Sequence, residues 1–182
     1  MMKTIAIIHE NDIYPEKDIS QNIEYSDRVT GKVFVLDDKN NLALVGNNQN
    51  EFLQLPGGGI DASENIIDGI IRECLEEIGC TVTIVREVAR IDDFRPRDAK
   101  HCINYCYVAK VLGNKLIPKH TTDEAKIGMY TTWVSITEVT KIFQKQKRWL
   151  NAGKVSFYNT GFNIARDLLF LEYAKANNII HE

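Results

Sequence analysis

Three glutamates in one short stretch, Glu73, Glu76 and Glu77, are the residues best placed to do chemistry together. On a helix each residue turns by about 100°, so the three fall in an arc of about 100° centred near Glu73. Gly69 projects into the same arc and adds no side chain there. Ile67, Ile70, Ile71, Cys74, Leu75 and Ile78 take the opposite side, with the spacing of one buried face. Such a helix has an oily back and a crowded acidic front with a hole in it. Like charges at i,i+4, such as Glu73 and Glu77, destabilise a helix by about 0.2–0.5 kcal/mol. The repulsion grows where water is partly excluded. A divalent cation would offset it directly, and hard carboxylate oxygens suit Mg²⁺ or Mn²⁺. The plainer reading is a solvated acidic face on which Arg72 pairs with Glu76 at i,i+4.

The elements around this helix read as follows. Residues 1–26 hold one strand-like apolar run and a polar stretch around Pro15 and Asp18, an N-terminal extension expected to dock on the rest. Val29–Leu36 and Leu42–Val45, joined by a polar turn, have the signature of a hairpin. Phe52–Leu55 predicts a short strand stopped by Pro56-Gly57-Gly58-Gly59. The glutamate helix should run from about Ser63 to Ile78, capped by Asp61 or Ser63 and ended by Gly79 in the left-handed conformation. Strand-like runs follow at Thr81–Ala89, His101–Val111 and Thr131–Val134. Ser135-Ile136-Thr137-Glu138 matches a capping box and should open a helix toward Lys145. A last helix should run from about Gly161 to Ala176. The pattern predicts one α/β domain over residues 1–182, a mixed β-sheet flanked by helices.

The glutamates also belong to a longer spaced pattern. Gly58 is followed after five residues by Glu64, and after seven more by Arg72-Glu73-Cys74-Leu75-Glu76-Glu77-Ile78-Gly79-Cys80. This resembles the Nudix box of the MutT-like Nudix hydrolases, and all seven fixed positions of that pattern are met. Cys74 and Cys80 fill its two apolar positions, a mild departure, since cysteine behaves as a small buried hydrophobe. The box spans the 23 residues from Gly58 to Cys80. With the flanking strands and the run into Trp133-Val134, the resemblance extends over about residues 28–145.

The resemblance implies an α/β/α sandwich and a pyrophosphohydrolase that uses Mg²⁺ or Mn²⁺. Glu73, Glu76 and Glu77 would bind metal, and Gly58 would let the backbone approach ligand and metal. Arg72 and Glu64 would form an orienting ion pair, for which lysine is a poor substitute for arginine. Gly79 would be the turn that ends the helix. The family usually adds a carboxylate from outside the box, and Glu124 in Thr122–Gly128 is the candidate, with Asp123 the runner-up and a plain polar loop residue the alternative. Glu76, Glu77 and Glu124 are the contenders for general base. The substrate would be a nucleoside diphosphate linked to another moiety, such as a nucleotide, a nucleotide sugar or a dinucleoside polyphosphate. Two other functions share the fold: a non-catalytic nucleotide sensor, and an isomerase acting on isopentenyl diphosphate.

Other features carry weaker expectations. Arg95 and Arg97, in a stretch expected to link two strands, could meet a phosphate, and Phe52 or Tyr105 could stack on a base. Cys102 and Cys106, near His101, read as buried thiols rather than a zinc site. Lys141, Lys145, Lys147 and Arg148 read as a solvated helix face. Lys plus Arg number 22 against 25 Asp plus Glu, so the chain carries a formal charge of −3, which disfavours bulk nucleic-acid binding. Its composition, 44% hydrophobic and 26% charged, excludes a disordered or fibrous chain. No apolar run approaches the roughly 20 residues that span a bilayer. The expected setting is cytoplasmic, with a small-molecule substrate, no membrane partner, and a homodimer through the N-terminal segment as an open option.

Overall fold

The structure, a computed structural model, describes residues 2–15 and 22–181. Asp18, part of the expected N-terminal extension, lies outside the described residues. Among the described residues seven strands form one mixed sheet, six of them in the order β1 (Thr4–Ile8), β5 (Thr81–Arg95), β6 (Lys100–Leu112), β2 (Ser26–Leu36), β3 (Leu42–Asn47), β4 (Asn50–Gln54). β7 (Tyr130–Val134) also pairs with β3. β1 runs parallel to β5 and β2 parallel to β6, whereas β5–β6, β3–β4 and β3–β7 are antiparallel.

Alternation along β2 and β3 divides the core in two. Val33, Val35, Ala43 and Val45 face helix α2 (Ile66–Ile78), where Ile70, Cys74 and Ile78 are buried. Phe34, Leu42 and Leu44 face helices α4 (Ile136–Asn151) and α5 (Tyr158–Ala176), which bury Phe143, Phe162 and Phe170. The result is the expected α/β/α sandwich. Two short helices complete it, α1 (Glu10–Ile13) and α3 (Thr122–Lys126).

Several local expectations need correction. The 29–45 hairpin is closed only beside its turn, by Leu36 and Leu42. Asp37 folds the turn onto itself by accepting the Lys39 and Asn41 amides, and β2 pairs with β6 along its whole length instead. β5 runs on to Arg95, so Phe94 and Arg95 are strand residues, not loop residues. α2 begins at Ile66 and is capped by Asn65, which accepts the Asp68 amide at 2.9 Å, not by Asp61 or Ser63. The preceding residues turn instead, with the Glu64 amide bonded to the Asp61 carbonyl. Ile67, expected on the buried face, is exposed, and Ile66 packs in its place. α4 and α5 are each longer than expected, reaching Asn151 and starting at Tyr158.

One feature of the sheet positions the site. The free edge of β2 is taken by the irregular segment after β4 and not by a strand. Val33 donates to the Pro56 carbonyl at 3.2 Å, Gly31 to the Gly58 carbonyl at 3.0 Å, and Ile60 to the Val29 carbonyl at 3.0 Å. The glycine-rich stretch is thereby laid along β2, beside the acidic front of α2.

Candidate active site

Helix α2 offers its glutamates to this glycine-rich segment at three depths. Glu77 is buried at 5% exposure, Glu73 is largely enclosed, and Glu76 is the most open of the three. The Gly57 amide donates to Glu77 Oε2 at 2.6 Å. Gly57 adopts φ +111°, and a Cβ there would run into the carbonyl of Gly31, so this position demands glycine. Gly58 stands against Glu73: a Cβ would lie 2.6 Å from its carboxylate oxygen. Gly79 ends the helix at φ +65°. Past it, Thr131 Oγ1 donates to the Glu77 carbonyl at 3.0 Å, and a ring nitrogen of His120 lies 3.3 Å from the same oxygen.

Arg72 is the hub of the outer part. Its guanidinium donates to both Glu64 oxygens at 3.1 Å, to Glu73 at 2.8 Å, to Glu76 at 3.2 Å and to the Gly59 carbonyl at 3.1 Å. The two-pronged contact with Glu64 uses the planar fork that only arginine has. The hole expected at Gly69 is where Glu64 and Ile60 come in: a Cβ on Gly69 would lie 2.8 Å from Glu64 Oε2 and 2.5 Å from Ile60 Cδ1. The Arg72–Glu76 contact of the plainer reading is present too, as one arm of this hub.

Burial dominates the electrostatics. It pushes the Glu77 carboxyl up to about 7, against the opposing pull of Lys32 and the Gly57 amide, and the charges of Glu73 and Glu124 add to the rise. Burial also raises Glu73, although Arg72 works the other way. Glu64 moves down because Arg72 bonds it. The inner face of the site thus holds carboxylates short of positive charge, which a hard dication would supply. Among the described residues no three His, Cys, Asp or Glu side chains stand close enough to hold a metal ion as they are. Glu73 and Glu76 are turned to Arg72, and Glu77 to Gly57. The donor set nevertheless fits Mg²⁺ or Mn²⁺, being three carboxylates on one helical face beside a loop with no side chains in the way.

The remaining candidates are distributed unevenly. Glu124 lies in α3 and not in a loop; its carboxylate accepts the Thr121 amide at 2.7 Å, and its charge is felt at Glu77. Arg95 is buried and bonded to Asp93, Asn159 and Asn163. Arg97 pairs with Glu10 at 2.9 Å and lies over the Tyr158 ring, so it ties down the N-terminal segment. Phe52 packs edge-on against Trp149 and lines a surface cavity of about 310 Å³ with Asn50, Lys154 and Phe157. The four cysteines are buried free thiols. Sequence reasoning missed Lys32, buried beneath the glycine segment, and the Asp167 carboxylate that accepts the Leu55 amide. The available signal was a lysine just before the apolar run Val33–Leu36 of β2 and an adjacent Arg-Asp pair among the apolar residues of α5.

Residues 27–155 match the family model of the NUDIX domain. The chain belongs to the Nudix family. Solved Nudix structures share its fold at low identity. A NUDIX hydrolase from Nitrosomonas europaea superposes with a TM-score of 0.59 at 17% identity, covering 86% of this chain and 97% of its own. The MutT protein from Methanosarcina mazei Go1 gives a TM-score of 0.51 at 17% identity, covering 72% and 98%. An ADP-ribose pyrophosphatase from Streptococcus suis gives 0.51 at 18% identity, covering 82% and 92%. No curated protein matches the chain. Within this Nudix chain the box occupies Gly58 to Cys80, and α5 lies wholly beyond the matched domain. Among the described residues no helix is long and apolar enough to cross a membrane.

Proposed function

We propose that this protein is a divalent-metal-dependent pyrophosphohydrolase that cleaves the phosphoanhydride of a nucleoside diphosphate linked to a second moiety. One observation carries the reading. The three box glutamates lie on one helix, with Glu73 and Glu77 set against the side-chain-free Gly57–Gly58 segment. Glu73, Glu76 and Glu77 would hold Mg²⁺ or Mn²⁺. When bound, the metal supplies charge neutralisation at the phosphate oxygens and lowers the pKa of a coordinated water.

The chain's own residues do the rest. Arg72 fixes the outer carboxylates and Glu64 fixes Arg72, so neither takes part in bond breaking. In the reaction a water oxygen bonds to one phosphorus as the bridging P–O bond breaks. The bridging oxygen leaves on the other phosphate. The water proton passes to a carboxylate, for which Glu76, Glu77 and Glu124 are the contenders. Of these, Glu77 is the buried one, with its carboxyl pushed up to about 7.

The box would read the diphosphate, and the nucleoside and second moiety are what the family resemblance implies. The Streptococcus suis neighbour is named an ADP-ribose pyrophosphatase, which makes ADP-ribose a sensible first compound to test. Purified protein is assayed with Mg²⁺ and with Mn²⁺ against ADP-ribose, nucleotide sugars, dinucleoside polyphosphates and nucleoside triphosphates. Release of a nucleoside monophosphate that depends on the metal and is lost in Glu76→Gln supports the proposal. Tight nucleotide binding without cleavage would instead mark a sensor, and conversion of isopentenyl diphosphate an isomerase; either outcome defeats it.

A further inference from the structure

Lys32 is a costly residue to place where it is. It sits at 6% exposure on β2, between the two residues, Gly31 and Val33, that pair with the glycine segment. An apolar side chain would fill the same space without desolvating an ammonium group. The ammonium donates to the carbonyls of Leu55, at 3.3 Å, and of Gly57. The same main chain is also met by α5. Asp167, 1% exposed, accepts the Leu55 amide on Oδ2 at 2.9 Å. Its other oxygen accepts from Arg166 Nε at 2.8 Å, which fixes the carboxylate's direction. Gly57, two residues beyond Leu55 and itself held by Lys32, reaches Glu77 with its amide at 2.6 Å.

We propose that Lys32 and Asp167 are positioning residues that clamp the main chain at Leu55 and Gly57, one from strand β2 and one from helix α5, and so aim the Glu77 carboxylate. The assignment rests on the hydrolase reading for its consequence at the metal, but not for the clamp itself. It gives the C-terminal helix a part in the site although that helix lies beyond residue 155, where the matched domain ends. It also separates the clamp from ordinary strand packing. Two residues earlier, Gln146 on α4 bonds both the amide and the carbonyl of Leu53, at 2.7 and 2.9 Å. That contact closes the sheet edge without touching Gly57.

The test compares the full-length protein with Lys32→Met, Lys32→Gln, Asp167→Asn and, as control, Gln146→Leu. Two quantities are read. The first is the Gly57 amide proton shift in metal-free protein, which reports its bond to the carboxylate. The second is Mn²⁺ affinity by electron paramagnetic resonance. Lys32→Met is expected to move the Gly57 resonance and weaken Mn²⁺ binding by about tenfold or more. Lys32→Gln, which keeps a donor, should fall between Lys32→Met and wild type, and Asp167→Asn should shift both quantities in the same direction. Gln146→Leu should leave both unchanged. A folded Lys32→Met with both values as in wild type overturns the proposal. If Lys32→Met does not fold, wild-type values in Lys32→Gln and Asp167→Asn overturn it. Failure of all three to fold while Gln146→Leu folds reduces the clamp to a folding requirement and also overturns it. A wild-type protein that binds no Mn²⁺ and cleaves nothing defeats the hydrolase reading instead, with the Gly57 resonance still deciding the clamp.

Discussion

Gly58→Ala separates the site from the fold. A Cβ on Gly58 would stand 2.6 Å from the Glu73 carboxylate, whereas ordinary contact begins at 3.4 Å. Closing that gap pushes the carboxylate away by about 0.8 Å, and a displacement near 1 Å in a catalytic constellation can lower the rate about 10²-fold. That loss corresponds to about 2.7 kcal/mol of transition-state stabilisation. The fold should hardly notice. The atoms that must yield are the far end of a flexible side chain, and Gly58 is not among the positive-φ glycines. Replacing glycine there can even return about 0.4–1 kcal/mol by restricting the unfolded chain. Urea unfolding should therefore place Gly58→Ala within about 1 kcal/mol of wild type. Steady-state assays with Mg²⁺ should show kcat down by about 10²-fold. Gly57→Ala should behave oppositely, losing stability first, because its φ is +111° and the obstacle is the Gly31 backbone. Gly58→Ala with wild-type kcat would refute the placing of Glu73 at the reaction centre, and a collapse of its stability would refute the local geometry.

Three further outcomes are expected. Arg72→Lys should lower kcat by about 10–100-fold, because an ammonium group cannot reproduce the five hydrogen bonds that Arg72 makes to Glu64, Glu73, Glu76 and the Gly59 carbonyl; wild-type kinetics would remove the hub from the site. Glu77 has an unfolded value of 4.5 and is held up near 7 when folded, so its contribution to stability is complete below pH 4.5 and disappears as pH rises through about 7. Metal-free protein should accordingly show a fall in Tm between pH 5 and pH 8 that is smaller in Glu77→Gln, and identical slopes would contradict the buried placement of that carboxylate. Glu124→Gln keeps an oxygen that can accept the Thr121 amide, so α3 should persist by circular dichroism while kcat falls by about 10²–10⁴-fold if Glu124 is the base; an unchanged kcat would leave Glu76 and Glu77 as the contenders.

The acidic front of α2 was legible because a helix repeats every 3.6 residues, so the order of Glu73, Cys74, Glu76, Glu77 and Ile78 already states which side each takes. The turn at Gly79 was legible for a related reason, since it ends the helix it follows, whereas the Arg72–Glu64 pairing came only from the family resemblance. What the glutamates face was not. Periodicity reports that Val33 and Val35 share a side of β2, but not that the free edge of the strand is taken by residues 56–60, nor that β2 prefers β6 to its neighbour in sequence. Those choices depend on which backbone groups remain unpaired after the whole sheet has formed. The same holds for Lys32 and Asp167, which read locally as a stray polar residue in a strand and a charged residue in a helix. They are separated by more than a hundred residues in the chain and meet only at the main chain of Leu55 and Gly57. A buried charge is tolerable only where partners converge on it, and convergence across that distance is a property of the tertiary structure alone.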